Sequence, residues 1–225
     1  MGDWNQLDFV RRHKDLLHGP YLEVGSRDYG NTQPLRPLFE GQSYLGADML
    51  DGPGVDLVLD LTGPFEEVDS AVEGRRFGTI FCLSVLEHCD QPFQMAANLT
   101  RLLAPGGKLA ISVPFVFAFH GYPSDYWRFT AEGVKKLFPD LQFDPALAAV
   151  STMLKGDWRP LGEQSDEDLG RVGLRGSWWR KRGRFWRALG LDLMRLTFKI
   201  GPLRWLDRYR YVFPATMISM IGERA

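Results

Sequence analysis

Three acids stand at the ends of three consecutive apolar runs. Glu23 lies in Tyr21-Leu22-Glu23-Val24-Gly25, Asp48 follows Ser43–Ala47, and Asp60 follows Val55–Leu59. An apolar run that breaks at a glycine is how a buried strand enters a tight, ligand-facing loop, because glycine tolerates φ > 0 and a close backbone approach. Strand ends tipped with carboxylates suit a polyhydroxyl, amine-bearing cofactor and repel a polyphosphate. A second group of reactive types sits further along. His88 and Cys89 follow Glu87, and His120 and Asp125 fall in the aromatic stretch Phe119 to Thr130. Histidine is the side chain whose unperturbed titration lies closest to working pH. Glu87, His88 and Cys89 match no common zinc spacing, so no metal is expected from them.

The elements that must position these residues follow from periodicity. Trp4 to His18 reads as an amphipathic helix stopped by Gly19-Pro20. Strands are expected at Tyr21–Val24, Ser43–Ala47, Val55–Leu59, Thr79–Leu83 and Lys108–Val113, with a sixth at Ala146–Ser151 and a seventh at Pro214–Ile221. Gln91 to Leu103 has helical spacing with Pro92 in its first turn, and Pro105-Gly106-Gly107 signals a turn. Thr130 is placed to cap a short helix reaching Phe138. Strands alternating with helices argue for an α/β fold: a Rossmann-like, doubly wound, mostly parallel seven-stranded sheet.

The composition fits one domain of ordinary size: 225 residues, 44% hydrophobic and 24% charged. A net charge of -1 gives no global attraction to nucleic acid, and no nucleic-acid partner is expected. Two cysteines, one in an apolar run, point to a reducing compartment rather than a disulfide framework. Met1 is followed by acidic and polar residues rather than a leader pattern, and no apolar run reaches the roughly 20 residues of a membrane span. A cytoplasmic location is expected on these grounds.

Glu23-x-Gly25, Asp48, Asp60-Leu61, Ser84 to Pro92 (SVLEHCDQP) and Leu102 to Pro114 (LLAPGGKLAISVP) together resemble class I S-adenosylmethionine-dependent methyltransferases of the type 11 group. The resemblance covers roughly residues 20 to 140 and, more weakly, the last strand, which it implies is antiparallel. It implies S-adenosylmethionine as cofactor. Gly25, Ser26 and Arg27 would let the methionine part lie against the backbone, and Asp48 would accept from both ribose hydroxyls with Met49 beside it. Asp60 and Leu61 would meet the adenine edge, Ser84 the methionine side, and Glu23 the amino group through water or its neighbours. The chain departs from the family pattern where Arg27 and Tyr29 replace the second and third glycines. A nicotinamide dehydrogenase would want G-x-G-x-x-G before a helix, and that pattern is absent.

On the acceptor side the same resemblance makes Phe119 to Thr130 (FHGYPSDYWRFT) the second distinctive motif. Methyl transfer needs in-line alignment, and an oxygen nucleophile also needs a base. His120 is the first candidate, then His88, then Asp125, while Tyr122, Tyr126, Trp127 and Arg128 are candidates for the acceptor's walls. The bland reading is that Tyr126 to Phe129 pack in the core with Arg128 paired to Asp125 or another acid. The segment 152–212 reads as a basic and aromatic helical insertion before the last strand. Its part from Ser177 to Tyr211 suits a cap over the acceptor, a packed insertion or a peripheral membrane contact. The expected reaction is methyl transfer to an oxygen or nitrogen of a small molecule, a sugar or glycan- or lipid-linked intermediate among them. The alternative is a non-catalytic Rossmann-like binding or scaffold module. The sequence leaves the oligomeric state open.

Overall fold

The computed structural model describes residues 3–30, 33–121, 124–161 and 216–225. Tyr122 and nearly all of the expected insertion, including Ser177 to Tyr211, lie outside them. Helix α1 (Trp4–Arg12) opens with a capping box: the Asp3 carboxylate accepts from the Asn5 and Gln6 N–H groups, and the Gln6 side chain accepts from the Asp3 N–H. It ends earlier than the periodicity predicts, and Lys14–Leu16 continues as a single tight turn.

The strands are β1 (Tyr21–Val24), β2 (Tyr44–Asp48), β3 (Leu57–Val58), β4 (Phe77–Leu83), β5 (Leu103–Val116), β6 (Leu141–Thr152), β7 (Trp158–Pro160) and β8 (Thr216–Arg224). Helices α2 (Phe65–Ala71), α3 (Pro92–Leu102) and α4 (Ala131–Leu137) complete the described set, with Pro92 in the first turn of α3 and Thr130 Oγ1 capping α4 at Gly133. One sheet runs in the order β3-β2-β1-β4-β5-β8-β6-β7. The first five strands are mutually parallel; β8 is antiparallel to both β5 and β6, as the family resemblance implied. Every residue of β1 and β4 is buried, the mark of a central strand covered on both faces. Around Tyr21 the rings of Phe39, Tyr44 and Phe81 pack at 4.4–6.0 Å, joined by Leu7 and Val10 of α1.

Among the described residues the sheet has eight strands, one more than the sequence reading expected. The addition is β7, three exposed residues that pair with Ala149 to Ser151 of β6, so the chain after β6 begins with a strand and not a helix. Pro105-Gly106-Gly107 does not end the element before it. It bends the start of β5, with Gly106 at φ +71 and a register shift against β4. Between β1 and β2 the described residues hold no α-helix, only the 3-10 turn Arg36–Phe39. A cavity of about 550 Å³ opens there, walled in part by Glu23, Ser26, Arg36 and Tyr44.

Candidate active site

Strand β1 lies between β2 and β4, so the chain winds away from it in both directions, and the loops at the carboxyl ends of β1 and β4 flank the crevice where open α/β sheets bind ligands. Gly25 follows β1 at φ +71, and a Cβ built on it would stand 2.6 Å from Val85 Cγ2 in the loop after β4. The two loops touch because that residue has no side chain. The Gly25 and Ser26 N–H groups both donate to Ala47 O of β2, at 2.9 and 3.1 Å. Arg27 and Tyr29, which stand where glycines were expected, do not adopt positive φ. The Arg27 side chain lies across Gly52, where a Cβ would fall 2.7 Å from Nε, and its guanidinium faces the Tyr29 ring at 5.2 Å. Gly30, later in the same loop, holds φ +81, and a further left-handed position comes from the loop after β2. Gly54 holds φ +87, and a Cβ there would meet Ser26 O at 2.6 Å.

Glu23 is buried. Its Oε2 accepts from the Tyr44 hydroxyl at 2.7 Å, while Oε1 has no protein partner, and burial raises the carboxyl above its ordinary range. Ser26 Oγ is a second buried atom without a partner. Asp48 Oδ1 accepts from the Leu50 N–H at 3.0 Å and Oδ2 from the Arg27 N–H at 3.3 Å. A carboxylate accepts about four hydrogen bonds, so the side chain is fixed in place with acceptor capacity to spare. Asp60 Oδ1 accepts from the Thr62 N–H and hydroxyl at 2.8 and 2.6 Å. Met49 is exposed beside Asp48, and Leu61 is buried.

Two polar side chains that sequence reasoning missed hold this edge. Asn98, buried on α3, donates to Leu61 O and Gly63 O at 2.8 and 2.9 Å and so fixes the loop carrying Asp60. Gln6, buried on α1, donates to Ser84 Oγ and Ser112 Oγ at 2.8 and 2.9 Å. Ser84 is a non-glycine residue at φ 55, and this bond engages its hydroxyl. The only sequence signal for either is a lone amide on the apolar side of a helix.

The aromatic loop closes over the end of β4. The Tyr126 and Trp127 N–H groups donate to Glu87 O at 2.7 and 3.3 Å, Trp127 Nε1 to Cys89 O at 2.7 Å, and the Phe129 N–H to Pro114 O at 3.0 Å. This carries His120 to His88, ring edge to ring face, with centroids 5.0 Å apart. His88 Nδ1 lies 2.5 Å from Ser124 O; His120 Nδ1 lies 3.1 Å from Ala118 O and 3.3 Å from Asp125 Oδ2. Each Nδ1 faces only oxygen acceptors in these pairs. We therefore assign the proton to Nδ1 in both rings, which leaves Nε2 to accept. Asp125 receives both terminal nitrogens of Arg128, at 2.5 and 2.7 Å, and those bonds hold its carboxyl below the usual carboxylate range. Asp125, its side chain 1% exposed, is thus paired with Arg128 and lies against His120. Arg128 also bonds Phe117 O and Ala118 O and so pins the loop. Phe129 packs in the core, whereas Tyr126 and Trp127 are exposed and remain available as walls. Glu87 is 1% exposed with Oε2 unpartnered, and burial pushes its carboxyl up to about 7.

This fold, with its acid-tipped strand ends, defines a class I methyltransferase architecture. A family described as "Methyltransferase domain" matches residues 8–160, and the chain belongs to it. It is an S-adenosylmethionine-dependent methyltransferase with S-adenosylmethionine as cofactor. Among solved structures it resembles the Burkholderia thailandensis 1,6-didemethyltoxoflavin N1-methyltransferase with bound 1,6-didemethyltoxoflavin and S-adenosylhomocysteine. The TM-score is 0.54 at 11% identity, over 98% of this chain and 77% of that one. A SAM-dependent methyltransferase from Archaeoglobus fulgidus gives 0.52 at 13% identity, over 97% and 92%. The [4+2]-cyclase SpnF gives 0.51 at 12% identity, over 98% and 80%, a reminder that this fold hosts other chemistry. No curated protein matches the chain. No helix among the described residues is long and apolar enough to cross a membrane.

The residues present fit the cofactor. The orphaned Glu23 Oε1 and Ser26 Oγ call for polar partners, and Asp48 keeps the acceptor capacity a ribose diol requires.

Proposed function

We propose that the protein methylates an oxygen or nitrogen of a small-molecule acceptor, a sugar or a glycan- or lipid-linked intermediate being the class first in view. The supporting observation is the docking of the aromatic loop. It sets His120, oriented by Asp125, beside His88 and Glu87, a few residues beyond Ser84 at the end of β4. In this reading Glu23, Gly25, Ser26, Arg27, Asp48, Met49, Asp60, Leu61 and Ser84 hold the cofactor, which supplies an activated methyl group. Tyr126 and Trp127 bound the acceptor, and their exposed rings suit the flat faces of a sugar or heterocycle. His120 Nε2 takes the acceptor's proton. Asp125, whose carboxyl stays ionised, stabilises the imidazolium that results. Locking the rings before the acceptor arrives is what makes positioning effective, since alignment supplies much of the rate in such transfers.

The test is methyl transfer from labelled S-adenosylmethionine to a panel of hydroxylated, amino and glycosylated small molecules, with His120→Ala in parallel. Label incorporation by the wild type that falls in the variant supports the reading. A panel methylated equally by both proteins refutes the role of His120.

A further inference from the structure

We propose that Glu87, His88 and His120 form a binding site for one divalent first-row transition-metal cation at the acceptor side of the crevice. The inference rests on the reading of this region as the acceptor site and adds a ligand to it. One donor atom from each of the three residues lies within 4.8 Å of the other two. Donors around one such ion at 2.0–2.2 Å stand about 3–3.5 Å apart in a tetrahedral arrangement, so the three lie at most about 1–2 Å wider than a bound set. Two independent features point to a ligand. Glu87 is 1% exposed, and its Oε2 has no partner, which is costly for a buried carboxylate unless something neutralises it. Both imidazoles have Nδ1 engaged by oxygen acceptors, Ser124 O for His88 and Ala118 O with Asp125 Oδ2 for His120. Metal-bound histidines carry that same support: the far nitrogen donates to a carbonyl or carboxylate, and this fixes the ring and its tautomer.

Two imidazoles and one carboxylate favour first-row ions, borderline Zn²⁺ ahead of harder Mn²⁺, over Ca²⁺, which prefers oxygen-only shells. Three protein donors leave at least one position for water or for the acceptor's own oxygen or nitrogen. An ion there would orient a bound hydroxyl and lower its pKa, so that its proton passes to solvent water while His120 serves as the ion's ligand. In the ion-free protein the ring itself takes the proton. Spacing along the chain hid the site, because Glu87 and His88 are adjacent and the third donor comes from a different loop.

The experiment is calorimetric titration of chelator-stripped full-length protein with Zn²⁺ and with Mn²⁺, with metal content measured after desalting. Each sample is also titrated with S-adenosylhomocysteine. The proposal expects one equivalent of at least one ion. His120→Ala, a change on a half-exposed loop, should weaken that binding at least tenfold, as should Glu87→Gln, with S-adenosylhomocysteine affinity retained in the first. Absence of stoichiometric binding to the wild type overturns the site, as does equal affinity in His120→Ala. If either result comes with intact S-adenosylhomocysteine binding, the ion site alone fails and the methyltransferase reading stands. Loss of S-adenosylhomocysteine binding by the wild type counts against the cofactor site instead.

Discussion

Gly25→Ala tests the central contact of the crevice. The new residue would sit at φ +71, a left-handed conformation that costs an L-residue about 1–2 kcal/mol. Its Cβ would also stand 2.6 Å from Val85 Cγ2, so one loop must shift, and overpacking of that kind costs about 1–3 kcal/mol. The sum, about 2–5 kcal/mol, is a large part of the 5–15 kcal/mol that holds a typical domain folded. Urea unfolding of the wild type, Gly25→Ala, Val85→Ala and the double variant separates the parts. Val85→Ala removes the colliding methyl, so the double variant should recover the overpacking share, a favourable coupling of about 1–3 kcal/mol, while the backbone share persists. Gly25→Ala should also bind S-adenosylhomocysteine at least tenfold more weakly, since the backbone that lines the crevice has moved. A single variant within about 0.5 kcal/mol of wild type, the range of ordinary surface changes, would refute the reasoning, as would zero coupling with Val85→Ala.

Other outcomes follow from the same geometry. Asp48→Ala should weaken cofactor binding by about 2–3 kcal/mol, the loss of charge-assisted hydrogen bonds, and unchanged affinity by calorimetry would remove the ribose assignment. His120→Ala should lower kcat by roughly 10²–10⁴ with near-normal cofactor affinity; an unaltered kcat on a true acceptor would exclude it as the base. Glu23→Gln should change the pH dependence of stability. Burial raises the folded-state carboxyl, so below about pH 4 both states are protonated and nothing is lost, but as pH rises the unfolded chain ionises first and the wild type loses stability. The glutamine variant escapes that loss, so its advantage should grow from pH 4 to pH 7 in denaturant titrations. A constant difference across that range would contradict the burial argument.

The central sheet was legible because its strands are short apolar runs, each ending in an acid or a turn residue, as in Tyr21–Val24 and Tyr44–Asp48. The capped starts of α3 and α4 were legible for the same local reason, with Pro92 and Thr130 as their signals. What sequence could not supply was which loop glycines take positive φ and how closely the neighbouring loops pack on them. The first loop keeps left-handed glycines at Gly25 and Gly30, and Gly54 of the turn Asp51-Gly52-Pro53-Gly54 packs against Ser26 O, so Arg27 and Tyr29 stand at positions that need no positive φ. β7 left no trace because Trp158–Pro160 is exposed and too short to alternate. Gln6 and Asn98 read as ordinary helix polars until the structure places their amides against Ser84 and Leu61. The pairing of Arg128 with Asp125, third among the candidate bases, was open to a local reading because the two stand three residues apart.

The most direct measurement is calorimetric titration of the purified full-length protein with S-adenosylmethionine and S-adenosylhomocysteine, with NAD as control. The account predicts saturable, one-to-one, micromolar binding of the first two and none of the third. A folded protein that binds neither, or that prefers NAD, would contradict it.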